Sequence, residues 1–280
     1  MKRHHCVTAV WLVFVLLTPS CNRPSPQEAS ETALAVLGAF EKEVALLEGA
    51  LVDAISQEIE GIKFTSGRLH GRSLVVAWTG IGKVNAAMTT TLLVEHFKPE
   101  HVIVTGIAGG VDPNLEPGDI VIGRRTAHHD MGIVWPEGIE HGGVRNRLTG
   151  DDNPVFFPAD PNLMAAATQA ARETTFKPVP LQSGAETPQV IVGTIVTGDV
   201  FVASKDKCAQ LEEMLEADAV EMEGAAVAQV CYQRGIPCLV VRSIADKADE
   251  SAVVDKQKFY ALAAENSARL VVRIVESLGP

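Results

Sequence analysis

Glu43, Glu221, Glu223 and Asp246 all stand where a strand or helix should begin or end. Three of them fall in one run, Val220 to Asp249, which reads VEMEGAAVAQVCYQRGIPCLVVRSIADKAD. That run suggests a short strand, a helix opening on Glu223, a Gly-Ile-Pro break, and a buried strand emptying into an acidic loop. In α/β proteins such element ends are where ligands bind, and carboxyl groups placed there can take up or give protons. Each also has an ordinary explanation. Glu43 fits a favourable charge in a helix first turn, Glu221 and Glu223 a cap or an ion pair, and Asp246 an exposed loop acid. Gly-rich turns mark further strand ends: Gly38-Ala39, Gly80-Ile81-Gly82-Lys83, Gly106-Ile107-Ala108-Gly109-Gly110 and Thr197-Gly198-Asp199. They would let backbone approach a ligand closely. None is a G-x-G-x-x-G or Walker A loop, so dinucleotide and nucleoside-triphosphate binding lose their usual signals. His128-His129-Asp130 gathers metal-type side chains, but neighbours on a strand point to opposite faces. Neither a metal nor a cofactor is expected.

The elements that must position these groups alternate along the chain. Ala33 to Phe40 reads as a buried strand and Glu41 to about Ser56 as an amphipathic helix. A strand pair turns around His70-Gly71, from Gly61 to His70 and from Ser73 to Thr79. A helix from Gly82 to Phe97 leads to a buried strand from His101 to Gly106, and Asp119 to His128 is another strand. Residues 131–158, rich in Gly, Pro and Asn, read as an excursion over the surface. Then come a helix from about Asn162 to Arg172, a strand from Gln189 to Thr197, a helix from Lys205 to Leu215, the Val220–Asp249 unit, and a closing helix from Phe259 to Leu278. This alternation predicts an α/β fold, a three-layer αβα sandwich around a mixed, largely parallel sheet.

The chain has 280 residues and is 46% hydrophobic, enough for a substantial core. A basic start, Met1 to His5, precedes the apolar run Val7 to Leu17 and a polar break at Thr18-Pro19-Ser20-Cys21. That order predicts an export signal over residues 1–21, with Cys21 a lipidation site, and a Pro-bearing linker over residues 22–31. Residues 32–280 would be a single domain, tethered to a membrane through Cys21 or released into the cell envelope. With 35 acidic against 24 basic residues and a formal charge of −11, nucleic acid is a poor partner. Cys208, Cys231 and Cys238 are too few and too scattered for a disulfide framework, and read as core thiols.

Six segments taken together carry a resemblance: Gly38-Ala39-Phe40-Glu41-Lys42-Glu43-Val44, Gly80-Ile81-Gly82-Lys83, Thr105-Gly106-Ile107-Ala108-Gly109-Gly110, Thr197-Gly198-Asp199-Val200-Phe201, Val220-Glu221-Met222-Glu223 and Val241-Arg242-Ser243-Ile244-Ala245-Asp246. In this order the chain resembles the 5′-methylthioadenosine/S-adenosylhomocysteine nucleosidases, within the nucleoside phosphorylase superfamily. The resemblance implies hydrolysis of an adenine N-glycosidic bond and a homodimer. It implies that Asp246 is the general acid at the purine and Glu43 the base that activates water. Glu223 would accept from the ribose hydroxyls, with Glu221 beside it and Met222 packed on the sugar. Phe201 and Val202 would contact adenine, and Ala108 and Gly109 would line the base pocket. Arg242 would lie near the water, and Phe40 and Ile81 would border the 5′ group. Related phosphorylases carry Gly-Asp-Pro-x-Arg on the first loop; here Glu43 would repel phosphate. The chain departs from the family pattern at Ile107 and Ala245, where serine is usual, and at Lys256, where an aromatic usually covers the 5′ substituent. Other readings are a phosphorylase, a nucleosidase of other 5′ specificity, and a surface-exposed adhesin lipoprotein on the same fold.

Overall fold

The computed structural model of the protein describes residues 33–279 apart from 137, 182 and 183. The expected leader, Cys21 and the linker lie outside the described residues. The first element, β1 (Leu34–Gly38), is buried at all five positions, as a strand covered on both faces must be. It feeds α1 (Glu41–Ala50), which stops well short of the expected Ser56. The chain turns instead into β2 (Val52–Ile59) and pairs back through β3 (Ile62–Leu69). The cause is Glu60-Gly61, both at positive φ (51° and 80°), a two-residue turn whose twist suits a hairpin. His70-Gly71 does the same (51° and 85°) between β3 and β4 (Arg72–Trp78), as the sequence indicated.

Next come α2 (Lys83–Phe97), β5 (His101–Val104), β6 (Ile107–Gly110) and β7 (Ile120–His128). The surface excursion contains a small hairpin, β8 (Gly132–Trp135) with β9 (Gly138–His141), and the short β10 (Phe156–Pro158) lying antiparallel on β7. Asp160 then caps α3 (Pro161–Glu173), its carboxylate accepting from the backbone of Asn162 and Leu163. A second small hairpin, β11 (Val179–Leu181) with β12 (Gly184–Glu186), leads to β13 (Val190–Thr197), α4 (Lys205–Leu215) and β14 (Ala219–Glu221). The chain ends with α5 (Gly224–Arg234), β15 (Cys238–Asp246) and α6 (Ala252–Ser277), the last beginning at Ala252 rather than Phe259.

Helices cover both sides of the sheet, as expected. Val44 and Leu47 of α1, Leu163 and Ala167 of α3, and Leu270 and Ile274 of α6 share one apolar core. Ala86 and Leu93 of α2 share the other with Val227 and Cys231 of α5. The sheet itself requires a correction. Among the described residues its order is β10-β7-β13-β14-β6-β15-β5-β1-β4-β3-β2, and β7 also pairs with β15. That extra pairing closes β7, β13, β14, β6 and β15 into a five-stranded barrel, from which β5, β1, β4, β3 and β2 extend as an open sheet. Two of the barrel pairings, β14 with β6 and β15 with β7, are antiparallel. The fold is therefore a mixed sheet, half barrel and half open, rather than a simple parallel sandwich. Register shifts at Gly193/Thr194 in β13 and between Ile244 and Asp246 in β15 supply the local bending that closure needs.

Candidate active site

A cavity of about 300 Å³ opens where β1, β13, β14 and β15 end. It brings together eleven of the twelve residues singled out as catalytic or substrate-binding from the sequence: Phe40, Glu43, Ile81, Ala108, Gly109, Phe201, Val202, Glu221, Met222, Glu223 and Asp246. Arg242 is the exception. It is fully buried behind the wall, with none of its side chain exposed. The cavity also takes in Ile107, Val200, Val220 and Lys256.

Each acid is held by a different local device. Glu43 sits in the first turn of α1 and bends back over it. One carboxylate oxygen accepts from the backbone N–H of Ala39 (2.6 Å) and Phe40 (3.1 Å), the other from that of Ile107 (2.9 Å). Burial pushes its carboxyl above the ordinary glutamate value, against the Arg242 charge and these three donors. Asp246, the last residue of β15, is 2% exposed and accepts from the Ala248 N–H at 2.9 Å. Burial raises it to about 6, against that hydrogen bond and the positive charge of Lys256. Glu223 accepts from the Gly82 N–H at 2.8 Å, which ties the start of α2 to the start of α5. Burial, and then the neighbouring Glu221 charge, raise it to about 7, with Arg242 opposing.

Glu221 lines the cavity, but both of its oxygens are engaged. It accepts from the N–H groups of Glu223 (3.0 Å) and Gly224 (2.8 and 2.9 Å), from the Thr197 hydroxyl, and from Arg242. It thus satisfies the open N-terminus of α5 and anchors the guanidinium. Arg242 reaches Glu223 at 3.5 Å and the Thr105 carbonyl at 3.4 Å. Gly106 lies where Arg242 meets Glu43: a Cβ there would collide with Arg242 Nη1 and come within 2.7 Å of Glu43 Oε1. Glycine is needed at this position for close approach.

Sequence reasoning passed over the bond from Thr197 to Glu221 and the donation from the Ala225 N–H to the Thr197 hydroxyl. The Thr-Gly-Asp turn was the available signal. A second cavity, about 380 Å³, lies elsewhere, lined by Arg125, Asp160 and Tyr232 among others. Its charged groups are already committed, Asp160 to capping α3 and Arg125 to Glu216. The chemistry belongs to the smaller cavity, where buried carboxyls converge.

Residues 33–276 match the phosphorylase superfamily. A 5′-methylthioadenosine/S-adenosylhomocysteine nucleosidase of Bacillus thuringiensis is 38% identical over 246 residues, covering 88% of this chain and 99% of its own length. The solved structure of the Neisseria meningitidis nucleosidase, in complex with methylthio-immucillin-A, aligns with a TM-score of 0.73 at 36% identity, over 88% of this chain and 99% of that one. That of the Colwellia psychrerythraea nucleosidase, in complex with adenine, aligns with a TM-score of 0.77 at 34% identity, over 89% and 96%. These relatives are known as cytoplasmic enzymes, which overturns the expectation of an exported, Cys21-tethered envelope protein. The chain belongs to the phosphorylase superfamily and, within it, to the 5′-methylthioadenosine/S-adenosylhomocysteine nucleosidases.

Proposed function

We propose that the protein hydrolyses the N-glycosidic bond of an adenine nucleoside, 5′-methylthioadenosine or S-adenosylhomocysteine, releasing adenine and the 5-alkylthioribose. The observation that carries this reading is the convergence of Asp246, Glu43 and Glu223 on one cavity, with Asp246 held at about 6. Asp246 is the general acid: it gives its proton to adenine N7 as the bond to C1′ breaks, and accepts from the N6 amino group. A 6-oxo purine has no such donor to offer. Glu43 is the base. Three backbone N–H groups fix its orientation, and its remaining acceptor capacity takes a proton from the attacking water. The water oxygen bonds to C1′ on the face opposite the leaving base, so charge develops between two carboxyl groups as in glycoside hydrolysis.

Glu223 accepts from the ribose hydroxyls, and Met222 packs on the sugar. Phe201 stacks on the purine, and the Val202 backbone with Ala108 and Gly109 reads its edge. Phe40 and Ile81 border the 5′ group. Arg242 and Glu221 act through Glu223 and Glu43, by position and charge. The matched span supports taking residues 32–280 as one catalytic domain.

A phosphorylase would need a cation facing the water side of the sugar. The guanidinium of Arg242 is fully buried and bound to Glu221, the Lys256 ammonium lies against the Phe40 and Phe201 rings, and the Glu43 charge would repel phosphate. Nothing among the relatives supports the adhesin alternative. The test is incubation of purified protein with 5′-methylthioadenosine, S-adenosylhomocysteine, adenosine and inosine, with and without phosphate. Free adenine without phosphate dependence, and no hypoxanthine from inosine, is the expected result; release that requires phosphate would overturn the reading.

A homodimer belongs to the same proposal. Trp78, Ile81, Val84 and Met88 are all exposed, Val84 by 77%, on and beside the first turns of α2 at the cavity mouth. A second copy of the chain would cover such a face. Light scattering should give twice the monomer mass, and a monomer at micromolar concentration would remove the proposal.

A further inference from the structure

Lys256, in the second turn of α6, is the one cationic side chain among the described residues that lines the cavity. Its ammonium lies 5.0 Å from the centre of the Phe201 ring and 5.5 Å from that of Phe40, spanning the two aromatic walls. Phe201 is 43% exposed, which puts this end of the cavity at the mouth. No carboxylate among the described residues pairs with Lys256. Its charge reaches Asp246 through space without an ion-pair contact, and Asp255 beside it in the chain lies within hydrogen-bond distance (2.6 Å) of the Ser251 hydroxyl.

The cavity is therefore polarised, with Glu43, Glu223 and Asp246 along the inner wall and one ammonium at the rim. An anion on a bound ligand would be repelled along the inner wall and attracted only at the rim. An ammonium held between two aromatic rings has given up part of its water, so an arriving anion finds a less screened partner than at an open surface. With the purine on Asp246 and the ribose on Glu223, the part of a nucleoside that reaches Phe40 and Lys256 is its 5′ substituent.

We propose that Lys256 determines specificity, selecting adenine nucleosides whose 5′ substituent ends in a carboxylate over those with a neutral alkylthio group. The proposal rests on the nucleosidase reading given above. The test uses two 5′-alkylthioadenosines of equal chain length, one ending in a carboxylate and the other in a methyl group. Wild-type kcat/KM should favour the carboxylate by about tenfold, the size of one charge-assisted hydrogen bond, and the ratio should shrink as salt is raised. Lys256→Met should bring the ratio to about one, and Lys256→Arg should retain the preference. Because the ratio is internal to each variant, it does not depend on how much of a preparation is folded. A wild-type ratio near one, or an unchanged ratio in Lys256→Met, overturns the proposal while leaving the nucleosidase reading intact. Failure to release adenine from either compound sinks both.

Discussion

Asp246→Asn should lower kcat/KM for adenine release by about 10²–10⁴-fold, the usual worth of a positioned general acid. The substitution keeps an acceptor for the Ala248 N–H, so the loop after β15 has no reason to move. It removes the dissociable proton and nothing else of consequence. The pH dependence sharpens the expectation. Asp246 can act as an acid only while protonated, and burial holds it at about 6. Wild-type kcat/KM should therefore decline as pH rises through about 6, and the residual activity of the variant should lack that limb. Stability should also fall with rising pH, over a lower window. A carboxyl whose folded value lies above its ordinary 3.8 costs the fold nothing below 3.8. As pH rises toward about 6 the unfolded chain ionises first, and stability is lost across that window. Asn has no such cost, so the variant should melt slightly higher than wild type at pH 7.5. Wild-type turnover in this variant would falsify the assignment of the acid.

Arg242→Met should be the most destabilising single substitution in the site, by about 3–5 kcal/mol in urea or thermal unfolding. The guanidinium is fully buried among Glu221, Glu223 and Glu43, and its charge favours the ionised form of the last two. Methionine leaves those carboxylates buried with no cation. Both Glu43 and Glu223 already stand above the ordinary 4.5, and losing Arg242 raises them further. Acids raised in the fold lose stability as pH climbs from the unfolded value toward the folded one. The deficit of Arg242→Met should accordingly grow from pH 5 to pH 8. A deficit that does not change with pH would mean that lost packing, not charge, is what the arginine supplies.

Much of this site was readable in the sequence because its parts are short and local. Glu43 follows β1 by a fixed loop, and Val220 to Glu223 is a strand end running straight into a helix. The less readable features depend on distant partners. Ile107 to Gly110 looks like a turn because two of its four residues are glycines, which lower strand propensity. It becomes β6 only because β14 and β15 hold it on either side. The end of α1 was misplaced because Val52 to Ile59 carries exposed apolar and polar residues that extend a helical pattern plausibly; the Glu60-Gly61 turn decides otherwise. Barrel closure left no mark at all, since the antiparallel pairing of β7 with β15 depends on sheet twist and two register shifts. The position of Lys256 between Phe40 and Phe201 likewise joins three distant parts of the chain.

The three-way pairing of β15 bears on how the protein is made. This strand contacts β5, β6 and β7, all synthesised more than a hundred residues earlier. Until residues 238–246 leave the ribosome, those three strands have open edges, which are prone to pairing with the wrong chain. Arg242 arrives on the same strand, so the carboxylates of Glu43, Glu221 and Glu223 cannot be buried beforehand without their counterion. Folding of the barrel and assembly of the site are thus a single late event. A chain released before β15 should carry no partial site, and should be a substrate for chaperones or proteases rather than a weakened enzyme.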